Sequence, residues 1–130
     1  MKRNIGAITL VVKEYDEAIH YYVNKLNFKL IEDIKLNDKK RWVTIAPENS
    51  SETTILLAEA ATQEQKKAIG YQTGGRVFLF LHTTDFWKDY NDMKSKGVSF
   101  LEEPREEIYG TVVVFEDLYG NKWDLIEHKN

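Results

Sequence analysis

The chain repeats one pattern twice, and this internal repeat is the strongest constraint on its fold. Residues 7–15 (AITLVVKEY) and residues 78–86 (FLFLHTTDF) each place an apolar run before an acidic and an aromatic residue. A stretch of helical period follows each run. Repetition of a supersecondary unit predicts two similar modules. Chemistry carried by the first copy should therefore have a counterpart in the second.

The first half predicts the order strand, helix, strand, strand, strand. Runs rich in apolar and β-branched residues predict strands over 5–12, 28–31, 41–46 and 54–58. Apolar residues at helical spacing predict a helix over 15–26, and the members of this stripe are Ile19, Tyr22, Val23 and Leu26.

The second half repeats that order. Strands are predicted over 77–82, 98–101, 111–115 and 122–127. Thr84 is the expected N-cap of the intervening helix and Gly97 its expected end. The buried stripe of that helix is predicted to be Phe86, Tyr90 and Met93. Thr62 and Gln65 match a capping box, which indicates a short helix between the halves.

Composition favours an ordinary soluble domain. The 130 residues include 42% hydrophobic and 30% charged residues, and the net charge is -3. An acidic balance argues against nucleic acid as a partner. There is no cysteine, which excludes disulfides and thiolate chemistry. No segment approaches the ~20 apolar residues of a membrane span, so no membrane association and a cytoplasmic location are expected.

The repeated βαβββ pattern resembles the vicinal oxygen chelate superfamily, the group of glyoxalase I, bleomycin-resistance proteins and extradiol dioxygenases. The segments that carry the resemblance are 10–19 with Tyr22, 97–100 with Pro104, 110–115 and 117–125. The resemblance covers essentially the whole chain. It implies an α+β fold in which two tandem βαβββ modules form a half-open barrel around a cavity. Module one would span about 1–60, a linker 61–75 and module two 76–130 of a single glyoxalase-like domain.

The resemblance also indicates where a metal would bind in metal-dependent members. In this chain those positions are Ala7, Leu56, Phe78 and Asp124. Three of the four side chains have no donor atom, whereas a catalytic metal needs about three protein ligands and an open position. We therefore predict no cofactor and no divalent metal at the family positions.

Strand alternation separates residues that face a helix from those that face the cavity. The candidate ligand-binding residues on the cavity side are Thr9, Trp42, Thr44, Leu56, Phe78 and Phe80. Arg105 and Tyr109 lie in the predicted loop before the seventh strand, where the resemblance implies substrate contacts. Arg105 could bind a ligand carboxylate or phosphate bidentately, or it could be a solvated arginine among neighbouring glutamates.

Asp124 and His82 are the candidate catalytic residues, because both are predicted on cavity faces. A carboxylate beside an imidazole can act as a general base near neutral pH. The alternatives are a strand-end histidine that bonds a backbone carbonyl and a structural salt bridge from Asp124 to Arg41 or Arg105. His128, close to the C-terminus, is expected to be frayed.

Two functions are compatible with these residues. The first is binding of a small organic molecule in an aromatic cavity, without the family metal. The alternative is a glyoxalase-type lyase or isomerase acting on a small carbonyl compound. A structural or regulatory dimer with no small ligand is a third, plainer possibility. The resemblance implies a homodimer in each case.

Overall fold

The chain forms two compact units, Met1–Ile69 and Gly70–Asn130. The computed structural model describes residues 1–50 and 52–130. In the first unit the elements are β1 (Ala7–Val12), α1 (Tyr15–Lys25), β2 (Phe28–Lys35), β3 (Arg41–Pro47), β4 (Thr54–Glu59) and α2 (Gln63–Ala68). In the second they are β5 (Leu79–His82), α3 (Phe86–Ser95), β6 (Ser99–Phe100), β7 (Arg105–Glu107), β8 (Gly110–Glu116) and β9 (Lys122–His128).

The first unit is a four-stranded sheet in the order β1-β4-β3-β2. β1 runs parallel to β4, and the other neighbours are antiparallel. A β-bulge between Leu30 and Glu32 shifts the register of the edge strand β2. α1 packs against β2, β3 and β4. The residues of α1 that it buries are Tyr15, Ala18 and Tyr22, spaced three or four apart as an amphipathic helix requires.

The second unit repeats this topology in the order β5-β9-β8-β6, with β7 also paired to β8. The partner of β8 on that side is therefore an edge strand broken between residues 100 and 105. α3 packs against β9. Aromatic rings fill the space between the helix and the sheet, with Phe115 stacked on Trp123 at 5.9 Å and Phe86 stacked on Tyr90 at 5.9 Å. These four side chains are buried and dominate the core of this unit.

The α+β class and the two sheets confirm the fold predicted from the repeat, and neither sheet is closed on itself. The helix stripe of Phe86, Tyr90 and Met93 is buried as predicted. The capping box is also confirmed, because Thr62 and Gln65 make both of its hydrogen bonds at the start of α2. No helix in the described part of the chain is both long and apolar enough to cross a membrane.

Several local predictions were wrong. In the stripe of α1, Tyr22 and Leu26 are buried as predicted, but Ile19 and Val23 are only partly buried. The N-cap of α3 is Asp85 rather than Thr84, because the Asp85 carboxylate accepts from the amide of Lys88. Residues 105–107, expected to be loop, form β7, and strand β2 continues to Lys35. Both added segments are charged edge strands, in which backbone pairing rather than an apolar pattern determines the structure.

Comparing two glycines distinguishes the energetic cost of a positive φ from the cost of a steric clash with a neighbouring group. Gly70 and Gly74 both have positive φ, 75° and 69°. A Cβ on Gly70 would overlap the carbonyl oxygen of Tyr119, whereas one on Gly74 would meet nothing within 4 Å.

We expect Gly74→Ala to lower the free energy of unfolding by about 1–2 kcal/mol, the cost of a left-handed L-residue. Gly70→Ala should lose about 2–5 kcal/mol, because overpacking adds to the same backbone cost. Urea denaturation of both variants measures the difference. Equal losses of stability in the two variants would mean that the close approach of Gly70 to Tyr119 adds no steric cost.

Candidate functional site

Each sheet has a face opposite its long helix, which we call the distal face. In the second unit Trp123 and Leu125 of β9 are buried in the core that packs against α3. Alternation therefore places Asp124, Ile126 and His128 on the distal face. Asp124 is opposite Phe80 of β5 on one side and Val114 of β8 on the other. The phenyl ring of Phe80 is 59% exposed, so an exposed aromatic residue stands beside a carboxylate.

The Glu102 side chain accepts a backbone hydrogen bond where the edge strand beside β8 is interrupted between β6 and β7. Where β6 has ended and β7 has not begun, the amide of Val114 donates to Glu102 Oε2 at 3.0 Å. The same carboxylate accepts from Arg105 Nε at 2.9 and 3.0 Å. Arg105 also donates from Nη1 to Glu107 at 2.8 Å. The loop between β6 and β7 is thus fixed by charge-assisted bonds.

Arg105 does not lie in a loop as expected, although its side chain is 40% exposed among the neighbouring glutamates. It lies in β7 opposite Val112. Val112 is two residues from Val114 along β8, so Arg105 is on the same distal face as the pair of Val114 and Asp124. Its guanidinium is already bonded to Glu102 and Glu107. It is therefore poorly placed to bind an anionic ligand, because both carboxylates would first have to be displaced.

Asp124 is the most unusual polar group of this face. Its Oδ1 is buried and has no hydrogen-bond partner among the described residues. Burial raises the pKa of the Asp124 carboxyl, the Arg105 guanidinium opposes that rise and the Glu102 carboxylate adds to it. The alternative of a salt bridge from Asp124 to Arg105 is not found among the described residues, where Arg105 pairs with Glu102 and Glu107. A carboxyl left in this state is typical of a site that awaits a partner.

His82 shares the distal face with Asp124 but has a different neighbour. His82 is opposite Ile126, one pair beyond Asp124. No hydrogen bond joins the His82 and Asp124 side chains in the part of the chain that is described. The ring of His82 instead contacts that of His128, with centroids 4.7 Å apart. His128 is not frayed as expected, because it pairs with Gly110 at the end of β9.

The other candidates of this unit are divided between the core and the distal face. Phe78 precedes β5, and its ring meets Trp123 edge-on at 6.4 Å, so it extends the aromatic core. Tyr109 is exposed in the turn between β7 and β8, with its ring 6.4 Å from that of His128. Of the predicted residues, the second sheet therefore brings Phe80, Asp124 and Arg105 together.

The distal face of the first sheet has a parallel arrangement with different chemistry. The paired residues in one row are Thr9, Leu56, Thr44 and Glu32. Glu32 Oε1 accepts from Trp42 Nε1 and from Thr44 Oγ1, both at 3.1 Å. Sequence reasoning selected Trp42 and Thr44 but missed Glu32. Glu32 is four residues after Phe28 and Glu102 is four residues after Val98, the corresponding positions of the two repeats, and this shared spacing is the signal that could have found it.

A groove of about 1300 Å³ runs along this first unit. Thr9, Trp42 and Leu56 line it on the sheet, and the hairpin between β2 and β3 forms one wall. Trp42 is 39% exposed while its indole nitrogen is held by Glu32. The ring is thus an oriented apolar surface within a space large enough for a small organic molecule.

The family metal does not fit the residues at its expected positions. Ala7 and Leu56 in the first sheet, and Phe78 in the second, have no donor atoms, which leaves Asp124 alone. Across residues 1–50 and 52–130 no cluster of three or more His, Cys, Asp or Glu side chains could hold a metal ion. We derive no chemistry through a metal at these positions.

Comparison with protein families identifies the fold. The model of the Glyoxalase/Bleomycin resistance protein/Dioxygenase superfamily matches residues 4–125. The chain belongs to this superfamily. Two members with no known function are similar to it. An uncharacterized protein of Shewanella frigidimarina is 56% identical over 98% of this chain and 95% of its own length. Bacillus subtilis YurT is 32% identical over 95% of this chain and 98% of its own.

Solved structures of the superfamily have the same fold. A member from Sphaerobacter thermophilus has a TM-score of 0.81 and 26% identity, covering 98% of both chains. TnmS3, an antibiotic binding protein from Streptomyces sp. CB03234, has a TM-score of 0.79 and 22% identity, again over 98% of both. The Listeria monocytogenes fosfomycin resistance protein FosX has a TM-score of 0.71 and 15% identity, covering 99% of this chain and 96% of its own.

We expect the Asp124→Asn variant to be more stable than the parent at pH 7, and this advantage should shrink as the pH falls. The pKa of Asp124 is raised from its ordinary value of 3.8, mainly by burial. The folded state therefore binds the proton more tightly than the unfolded state, and stability falls as the pH rises from 3.8 through the folded pKa. Asparagine does not ionise and avoids this loss.

Thermal melts of both proteins between pH 4 and pH 8 measure the effect. Asp38→Asn is the matched control, because the Asp38 side chain is 99% exposed and loses almost no solvent on folding. An advantage of Asp124→Asn that stays constant with pH would contradict the assignment of a desolvated carboxyl.

Proposed function

We propose that this protein binds a small organic molecule on the distal face of its second sheet, with Asp124 as the polar anchor and Phe80 as the apolar contact. The observation that carries the proposal is the buried, unpartnered Oδ1 of Asp124. A buried acceptor without a donor costs about 1–3 kcal/mol. A ligand with an N–H or O–H group would offset that cost while its apolar part covers the exposed ring of Phe80.

The charges of this face favour a cationic ligand. The Arg105 guanidinium interacts with three carboxyl groups, those of Glu102, Glu107 and Asp124. Because Arg105 is already paired, this group of side chains has an excess of negative charge. A protonated amine or amidine on a flat aromatic body satisfies both the unpaired oxygen and the local field.

The superfamily is compatible with such a role. TnmS3, which shares the fold, is described as an antibiotic binding protein. At 22% identity this likeness bears on the fold alone, so the proposal is supported by the geometry around Asp124. The Trp42 ring and the groove of the first unit are further support for a small-molecule binder.

The test is a thermal-shift screen of cationic aromatic compounds, followed by calorimetry on any compound that stabilises the protein. We expect Asp124→Asn to weaken binding by about 10–100-fold, the loss of one charge-assisted hydrogen bond. Phe80→Ala should weaken it by about 5–20-fold through lost apolar contact.

Asp38→Asn removes one negative charge from an exposed position and controls for net charge. If Asp38→Asn lowers affinity as much as Asp124→Asn, attraction to the whole acidic protein explains binding and the site is wrong. A screen that also includes neutral and anionic aromatics, and in which only anions stabilise the protein, would contradict the proposed ligand class.

The second candidate function is a lyase or isomerase in which Asp124 transfers a proton. The raised pKa of Asp124 favours it, because a carboxyl titrating closer to neutral pH is a better general base than an ordinary one. The mechanism would use Asp124 without His82, since the imidazole lies against His128 instead.

A turnover assay with small α-hydroxy and α-keto carbonyl compounds distinguishes the two functions. For an enzyme, Asp124→Asn should lower kcat by about 100-fold or more with a smaller change in KM, as expected for loss of a general base. For a binding protein no compound should turn over, and Asp124→Asn should change only affinity. Full turnover by Asp124→Asn would exclude Asp124 as the base.

A further inference from the structure

Two of the three histidines of this chain meet at one edge of the second sheet. His82 ends β5 and His128 ends β9, two strands that pair in parallel. The register places His82 opposite Ile126, so that His128 is its diagonal neighbour on the same face. Strand pairing therefore brings the two imidazoles together although 46 positions separate them in sequence.

The distance between the two rings is that of a pair of imidazoles on one metal ion. Their centroids are 4.7 Å apart, and their planes are inclined by 73°. A metal lies ~2.0–2.1 Å from each ligating nitrogen and about 3.2 Å from each ring centre. Two cis imidazoles on one ion then have centroids ~4.5–5.2 Å apart. The two rings are therefore close enough to share one ion when a nitrogen of each is turned toward it.

Neither imidazole is engaged by another group. In the described portions of the chain, no hydrogen bond or ion pair involves the side chain of His82 or of His128, and both residues are exposed. The Tyr109 ring lies 6.4 Å from that of His128 and closes one side of the pair. His20, the third histidine, is different because its Nδ1 is within hydrogen-bond distance of Asn24 Nδ2.

We propose that His82 and His128 form a two-histidine site for a divalent transition metal, Cu²⁺ in preference to Ni²⁺ or Zn²⁺. Imidazole suits all three ions, and copper forms the most stable complexes among them. The remaining coordination positions are open to water or to an oxygen ligand. This site is distinct from the family positions, because Phe78 precedes β5 and Asp124 lies four residues before His128 on β9. It also does not depend on the proposed function.

The test uses tag-free protein in a weakly coordinating buffer, titrated with Cu²⁺ in the presence of glycine as a competitor. We expect one tight equivalent per chain. His82→Ala and His128→Ala should each weaken it by about 100-fold, since the second ligand binds intramolecularly once the first is bound. His20→Ala is the matched control and should bind like the parent. The double variant His82→Ala/His128→Ala measures the background from other groups, including the terminal amine.

Electron paramagnetic resonance of the copper complex gives a second readout. The parent should show coupling to two imidazole nitrogens, and each single variant to one. Far-UV circular dichroism and melts of all variants check folding, with His82→Gln and His128→Gln as polar substitutes at exposed sites. The proposal is wrong if the parent binds no more tightly than the double variant. It is equally wrong if only one of the two single substitutions weakens binding, because the ion would then use a single imidazole.

Discussion

Each sheet of this protein has its long helix against one face only, and this constraint determines how the other face is built. Alternate residues of each strand enter the helix-side core, as Trp123 and Leu125 do on β9 and Val43 and Ile45 do on β3. The residues between them lie on a face that the fold leaves without helical cover. Polar groups on that face need partners from side chains or from a ligand.

The two repeats solve this problem with a glutamate at the same position. Glu32 lies on the outer strand β2 and Glu102 in the gap between β6 and β7, and each reaches the neighbouring strand, at Thr44 and Val114 respectively. Glu32 accepts from side chains and thereby orients Trp42. Glu102 accepts from a backbone amide and holds Arg105. A shared position thus gives an aromatic surface in the first unit and a charged cluster in the second.

The corresponding rows of paired residues on the two distal faces differ most at their central strand. In the first sheet the strand next to Thr44 presents Leu56, and in the second the strand next to Val114 presents Asp124. An apolar residue at this point needs no partner, whereas a carboxyl does. The carboxyl whose Oδ1 lacks a partner is therefore in the second repeat, even though the repeats share one topology.

Elements with a strong periodic pattern were predictable from the sequence, and contacts between distant residues were not. The stripe of α3 and the capping box of α2 depend on spacings of three and four residues, which the sequence displays directly. β7 has the sequence Arg-Glu-Glu, in which no apolar alternation marks a strand. The meeting of His82 with His128 depends on the register of β5 against β9, which only tertiary structure fixes.

The arrangement around Arg105 explains why Asp124 stays unpaired. The guanidinium lies one residue pair from Asp124 on the same face, close enough to affect the pKa of that carboxyl. Its Nε and Nη1 nevertheless donate to Glu102 and Glu107. A purely structural aspartate here would gain stability from an ion pair with Arg105, because a desolvated carboxyl without a partner is costly. The guanidinium is paired with the two glutamates instead, and Asp124 Oδ1 has no hydrogen-bond partner among the described residues.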